Sequence, residues 1–163
     1  MSKRTRRKKM KKFLSISKII LASLSLLAIL SLLLPVVKID HFIKDDSTVN
    51  GFNLIFGWNY KGELVTVKYT NFTFAGLLAI IFPIAGTVFA LFKTKMCGVF
   101  SAACFAFALV VCVFMPDILT SSATEAFKVI LDSSKLYLGV GAYIAIVLNG
   151  LMAILALIKT FYK

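Results

Sequence analysis

Acidic side chains are scarce in this 163-residue chain, in which seven Asp and Glu stand against nineteen Lys and Arg. Histidine and tryptophan occur once each, at His41 and Trp58, and proline three times. The scarcity bears most on four apolar stretches, about 19–37, 72–92, 96–115 and 136–158, none of which contains Asp, Glu or His. A carboxylate proton relay or a cation-coupled antiporter therefore lacks its usual intramembrane groups. Intramembrane proteolysis would need paired aspartates, a His-Glu-x-x-His zinc site or a Ser–His pair, and the stretches contain none of these. Cys97, Cys104 and Cys112 form no Cys-x-x-Cys pair, and all three fall in the third stretch. They read as small apolar packing residues rather than a redox pair or a disulfide. The expectation is a chain that is not an enzyme, with no catalytic residues, no cofactor and no metal site.

What remains is mostly apolar. Hydrophobic residues make up 60% of the chain, where soluble domains hold roughly 45–50%. The run from Ile19 to Val37 would measure roughly 28 Å as a helix at 1.5 Å per residue, which matches the hydrocarbon core of a bilayer. It exceeds the 7–15 apolar residues of a signal peptide, and no Ala-x-Ala site follows, so it reads as an uncleaved signal anchor. The predicted fold class is an all-α membrane protein: an antiparallel four-helix transmembrane bundle with a small extracellular β-hairpin or sheet in the first outer loop. Residues 1–18 form a basic cytoplasmic tail, 19–158 the four-span bundle and 159–163 a cytoplasmic C-terminus. The outer loops are 38–71 and 116–135.

Charge distribution sets the orientation. All seven acids (Asp40, Asp45, Asp46, Glu63, Asp117, Glu125, Asp132) fall between spans 1 and 2 or between spans 3 and 4. Most bases sit in the tail, at Lys18, in the Lys93–Lys95 connection or after the last span. This is the positive-inside pattern, so topology accounts for most of the +12 net charge, and nucleic acid is not an expected partner. Lys3, Arg4, Arg6, Arg7, Lys8, Lys9, Lys11 and Lys12 are candidate contacts for anionic lipid of the inner leaflet. Each contributes on the order of 1 kcal/mol near such a surface. The tail is otherwise expected to be disordered, with Lys18 snorkelling to the headgroups.

Within the spans, small and polar residues mark the packing faces. Span 1 interleaves Ser23, Ser25, Ala28 and Ser31 among leucines. In span 2, Pro83 removes a helix hydrogen bond near mid-span and predicts a kink. Span 3 carries Gly98, Ala102 and Ala106 at four-residue spacing, and span 4 carries Gly141 and Ala145. Asn149 is the most polar residue in the middle of any span. It is expected to face the bundle and bond a serine, a threonine or a free carbonyl.

The outer loops carry the remaining signals. Val37, Ile39, His41 and Ile43 alternate with Lys38, Asp40, Phe42 and Lys44, which suits a strand. Asp45-Asp46-Ser47-Thr48 and Asn50-Gly51 read as turns. Phe52–Trp58 fits either a strand or an interfacial segment. Asn59-Tyr60-Lys61-Gly62 reads as a turn into a strand over Glu63–Tyr69, with Trp58, Tyr60 and Tyr69 in the outer aromatic belt. Pro116 ends span 3. Ser122-Ala123-Thr124-Glu125 matches a capping box, predicting one short amphipathic helix with Phe127, Ile130 and Leu131 on its apolar face.

A Lys-rich start, a span ending in Pro35-Val36-Val37 and Gly51-Phe52-Asn53-Leu54-Ile55-Phe56-Gly57 before a second span resemble the uncharacterised small four-span membrane proteins of low-GC Gram-positive bacteria and mollicutes. No activity comes with that resemblance, which implies a bacterial plasma membrane. The topology also resembles the claudin-type tetraspan plan, and Phe56-Gly57-Trp58 echoes its Gly-Leu-Trp. The paired loop cysteines of that plan are absent, so no function transfers. The expected function is a structural or accessory membrane protein that engages another membrane component, or a second copy of itself, through its outer cap or helix faces. The alternative is a small oligomeric transporter or channel lined by Asn149, Ser101 and Thr87.

Overall fold

A computed structural model describes residues 3–40, 47–61, 66–92 and 94–161, and side chains from residue 14 onward outside 47, 60, 61, 66 and 67. His41, Ile43, Asp45, Asp46, Glu63 and Lys93 lie outside the described residues, as do the side chains of Lys3 to Lys12 and of Tyr60.

Helix α1 (Lys3–Leu30) is continuous over 28 residues. The disordered tail expected up to residue 18 is therefore corrected. Lys, Arg and Met are good helix formers, no Gly or Pro interrupts them, and a long apolar helix downstream supplies the costly nucleus. The first span also ends sooner than expected. After a 3₁₀ turn (Ser31–Leu33), Leu34 is extended, as the residue before a proline is biased to be. Pro35, Val36 and Val37 then enter strand β1 (Pro35–Asp40) instead of extending the helix.

Strand β1 is the centre of a three-stranded antiparallel sheet between β2 (Ser47–Asn50) and β5 (Lys135–Leu138). The register pairs Val37 with Val49 and with Leu138. An irregularity between Pro35 and Val37 interrupts strict alternation, and Val36, Val37 and Ile39 are all buried. The sheet was expected from the first loop alone. Its third strand comes from residues assigned to the fourth span, because Leu136-Tyr137-Leu138 is as apolar as a helix start and only pairing with β1 makes it a strand.

Asn50 ends β2 and caps a short helix, α2 (Gly51–Phe56), its side chain accepting from the Asn53 N–H at 2.8 Å. Residues 52–56 are thus helical, which excludes the strand reading. Gly57 closes this helix at φ +96°, with the Thr70 carbonyl 3.0 Å from where a Cβ would stand. Strands β3 (Asn59–Lys61) and β4 (Thr66–Lys68) form a separate hairpin. The turn expected at Asn59-Tyr60-Lys61 is therefore strand. Ser47 and Thr48, read as turn, are also strand.

Three further apolar helices follow close to their expected bounds: α3 (Phe74–Leu91), α4 (Lys95–Val113) and α7 (Val140–Phe161). With the part of α1 from Leu14, they are four helices long and apolar enough to cross a membrane. Between α4 and β5 lie two helices rather than one, α5 (Met115–Ser122) and α6 (Glu125–Asp132). Ser122 ends α5 with its hydroxyl on the Leu119 carbonyl, so it caps nothing. Thr124 precedes α6 and donates instead to the carbonyls of Lys68 and Tyr69. The capping box is thereby corrected: tertiary bonds to the hairpin displace the local one.

The long helices pack in a ring, with α1 and α4 each against α3 and α7. Lys18, Ala90, Leu91, Gly98, Lys159 and Thr160 meet at one end, the base. The sheet, α2, α5, α6 and the hairpin form a cap at the other. One apolar cluster fills the cap and the adjoining half of the bundle, including Val37, Leu54, Met115, Leu119 and Ala145. A second, with Leu21, Ala90, Phe105 and Met152, fills the basal half.

Candidate functional site inside the helix bundle

Each long helix buries a seam that recurs every three or four residues. In α3 it is Gly76, Ala79, Pro83, Gly86 and Ala90. In α4 it is Gly98, Ser101, Ala102, Phe105, Ala108 and Cys112. In α7 it is Gly141, Ala142, Ala145, Asn149, Met152, Ala156, Lys159 and Thr160, and in α1 Ser17, Leu21, Ser25, Ala28, Ser31 and Leu32. Spacing near 3.5 is the knobs-into-holes period of helices packed at a shallow angle, and the small residues let backbones come close.

The row expected at Gly98, Ala102 and Ala106 stops at Ala102, because Ala106 is exposed. A strict four-residue step gains about 40° per repeat at 100° per residue, so its third member leaves the interface. Ser23 is exposed because it stands two residues, about 200° of turn, from Ser25 on the seam. Gly141 and Ala145 do share the seam. A methyl on Gly141 would stand 2.5 Å from the Ser31 carbonyl oxygen and 2.9 Å from that of Leu34. At the base, one on Gly98 would run into the Thr160 hydroxyl.

The polar groups lie at the level where the two apolar clusters meet. Pro83, buried between Ala79 and Gly86, has no N–H for the Ala79 carbonyl one turn back. Thr87 is half-buried and donates to the Pro83 carbonyl at 2.9 Å. Ser101 is fully buried and donates across helices to the Gly86 carbonyl at 2.7 Å, while Phe105 covers the same glycine. Asn149 is 1% exposed. Its amide N–H donates to the Ala145 carbonyl of its own helix at 2.8 Å. The expected partner, a serine, a threonine or a free carbonyl, is replaced by a carbonyl of its own helix one turn back. Its Oδ1 is buried with no hydrogen-bond partner.

The base is held differently. Lys18 Nζ donates to the Leu91 carbonyl at 2.6 Å, and Lys159 Nζ to the Ala90 carbonyl. Two ammonium groups, from α1 and α7, thus meet neighbouring carbonyls at the C-terminus of α3, where a helix dipole favours positive charge. Lys159 is 2% exposed. Lys18 ties two helices together in addition to lying near the chain's basic end. Spacing could not reveal this, since the partners lie 73 and 69 residues away.

In the cap, Trp58, Tyr69 and Phe127 stack with centroids 4.9 to 6.1 Å apart, clamping the hairpin onto α6. Among the described residues no three His, Cys, Asp or Glu side chains gather. At mid-bundle the polar side chains are neutral donors on helix carbonyls, as at Thr87, Ser101 and Asn149. Searches against protein-family models, curated proteins and solved structures find no match for the chain.

Proposed function

We propose that this chain is a four-span membrane protein of structural or accessory type, with both termini on the cytoplasmic side and its cap outside. The observation that carries the reading is the reversed polarity of the bundle. Its buried seams are small and polar, while its outward faces are large and apolar, as at Ile19, Ile84, Val88, Phe107, Val147 and Ile154. A water-soluble bundle that exposed four such faces would present apolar surface far beyond the few hundred Å² that monomers tolerate. The ends differ in charge in the sense of the positive-inside rule: among the described side chains the cap elements mix Asp40, Asp117, Glu125 and Asp132 with Lys38, Lys68, Lys128 and Lys135, whereas Lys18, Lys95 and Lys159 at the base are mixed with no acid. The inner leaflet's anionic lipid is the natural neighbour of the basic end of α1.

The accessory role is supported by what the interior does with its polar groups. Ser101 and Thr87 donate to carbonyls of α3 instead of lining an open path. On the cap, α6 leaves Val129 at 72% exposure with Ile130 beside it, a face suited to the lipid interface or to another membrane component. One observation favours the alternative of a small oligomeric transporter or channel, the unpartnered Oδ1 of Asn149.

Substituted-cysteine labelling tests both readings. In a chain whose own cysteines are replaced, Asp117→Cys should react with an impermeant maleimide on intact cells, and Lys95→Cys only after permeabilisation. Labelling of both from one side would refute the topology. Labelling of Ser101→Cys and Asn149→Cys from water would refute the accessory reading in favour of a pore.

A further inference from the structure

We infer that the basal junction where Lys18 of α1 meets the end of α3 is a discrete site for the phosphate headgroup of an anionic diacyl lipid, with Lys18 as its anchor. The inference rests on the membrane reading above and adds a defined ligand and residue to it. Lys18 is positioned rather than loose, because one N–H is committed to the Leu91 carbonyl at 2.6 Å. An ammonium carries three N–H groups, so two are left to point at an oxygen acceptor. Lys159 places a second positive charge on the adjacent Ala90 carbonyl. Two unit charges outweigh the roughly −0.5 of the α3 terminus, so the local field favours an anion. Lys95, exposed at the start of α4, adds to it.

The apolar surroundings decide which anion. Ile19 follows Lys18 at 66% exposure, and Leu91 and Phe92 are more than half exposed beside the carbonyl that Lys18 holds. Met96 continues the strip onto α4. A cation flanked by exposed apolar side chains fits a headgroup with its acyl chains, because both parts gain contact at once. A free phosphate would use the charge alone. The eight basic residues before Leu14 supply a diffuse attraction to the leaflet. The α1–α3 junction, by contrast, offers a positioned ammonium next to exposed apolar side chains.

The test uses the full chain purified in detergent and mixed with equal phosphatidylglycerol and phosphatidylcholine, with retained lipid measured by native mass spectrometry. The wild type should keep phosphatidylglycerol preferentially. Lys18→Gln should lower that preference about five-fold, the factor corresponding to ~1 kcal/mol for one basic residue near anionic lipid. Lys18→Arg should restore it. A chain with all eight basic residues from Lys3 to Lys12 changed to Gln should keep most of the preference in 0.3 M salt, where diffuse attraction is screened. Circular dichroism melts of each variant verify that the bundle is intact. An unchanged preference in a folded Lys18→Gln protein, or its loss in the tail variant alone, would overturn the site while leaving the membrane reading standing. Release of the wild-type chain from membranes by alkaline carbonate would overturn both.

Discussion

Two glycines in α7 should respond in opposite directions to the same substitution. Gly141→Ala adds a methyl 2.5 Å from the Ser31 carbonyl oxygen and 2.9 Å from that of Leu34. Both are backbone atoms of the neighbouring segment, so no rotamer change can relieve them. A carbon–oxygen contact relaxes near about 3.3 Å, so α7 must move off the Ser31–Leu34 turn by about 0.8 Å. Overpacking of that kind costs about 1–3 kcal/mol, and the gain in helix propensity from Gly to Ala returns at most ~1 kcal/mol. The net expectation is a loss of about 1–2 kcal/mol. Gly150→Ala meets only Leu109 Cδ1 at 3.4 Å, an ordinary contact, so the propensity term stands alone and the variant should gain about 0.5–1 kcal/mol. Unfolding in mixed detergent micelles of chains whose half-buried Cys97 and Cys104 are replaced by Ala, followed by a thiol-reactive dye that reaches buried Cys112 only when the bundle opens, measures both. Wild-type stability in Gly141→Ala, or equal losses in the two variants, would refute the close approach of α7 to the Ser31–Leu34 turn.

Other parts of the interior give further expectations. Ser101→Ala removes the bond to the Gly86 carbonyl and should cost about 0.6–1.7 kcal/mol by the same unfolding assay, with no change in topology. Asn149→Leu should be neutral or stabilising, because it removes an acceptor that has no donor. Should it destabilise by more than about 1 kcal/mol, the amide holds a partner. Trp58→Ala breaks the stack with Tyr69 and Phe127 and forfeits about 0.5–1.5 kcal/mol beyond lost area. Faster hydrogen exchange at the Thr124 N–H, which bonds the Tyr69 carbonyl, would register the hairpin lifting from α6 while α3 and α4 stay protected.

The amino-acid sequence by itself determined the number and approximate limits of the long helices, because twenty consecutive apolar residues without a carboxylate have few alternatives to a buried or lipid-facing helix. It also placed Asn149, Gly141 and Ala145 on packing faces, since small and polar residues stand out against a Leu-rich background. The tertiary structure alone decided the boundaries at the cap. Val36-Val37 and Leu136-Tyr137-Leu138 are apolar enough for either helix or strand, and they become strands because β1 and β5 satisfy each other's backbone groups across about a hundred residues of chain. It decided, too, that Thr124 would serve the hairpin rather than its own helix, and that Lys18 and Lys159 would hold the end of α3. Local pattern reports what a segment can become. Which of its hydrogen-bonding groups find distant partners is settled only when the elements meet.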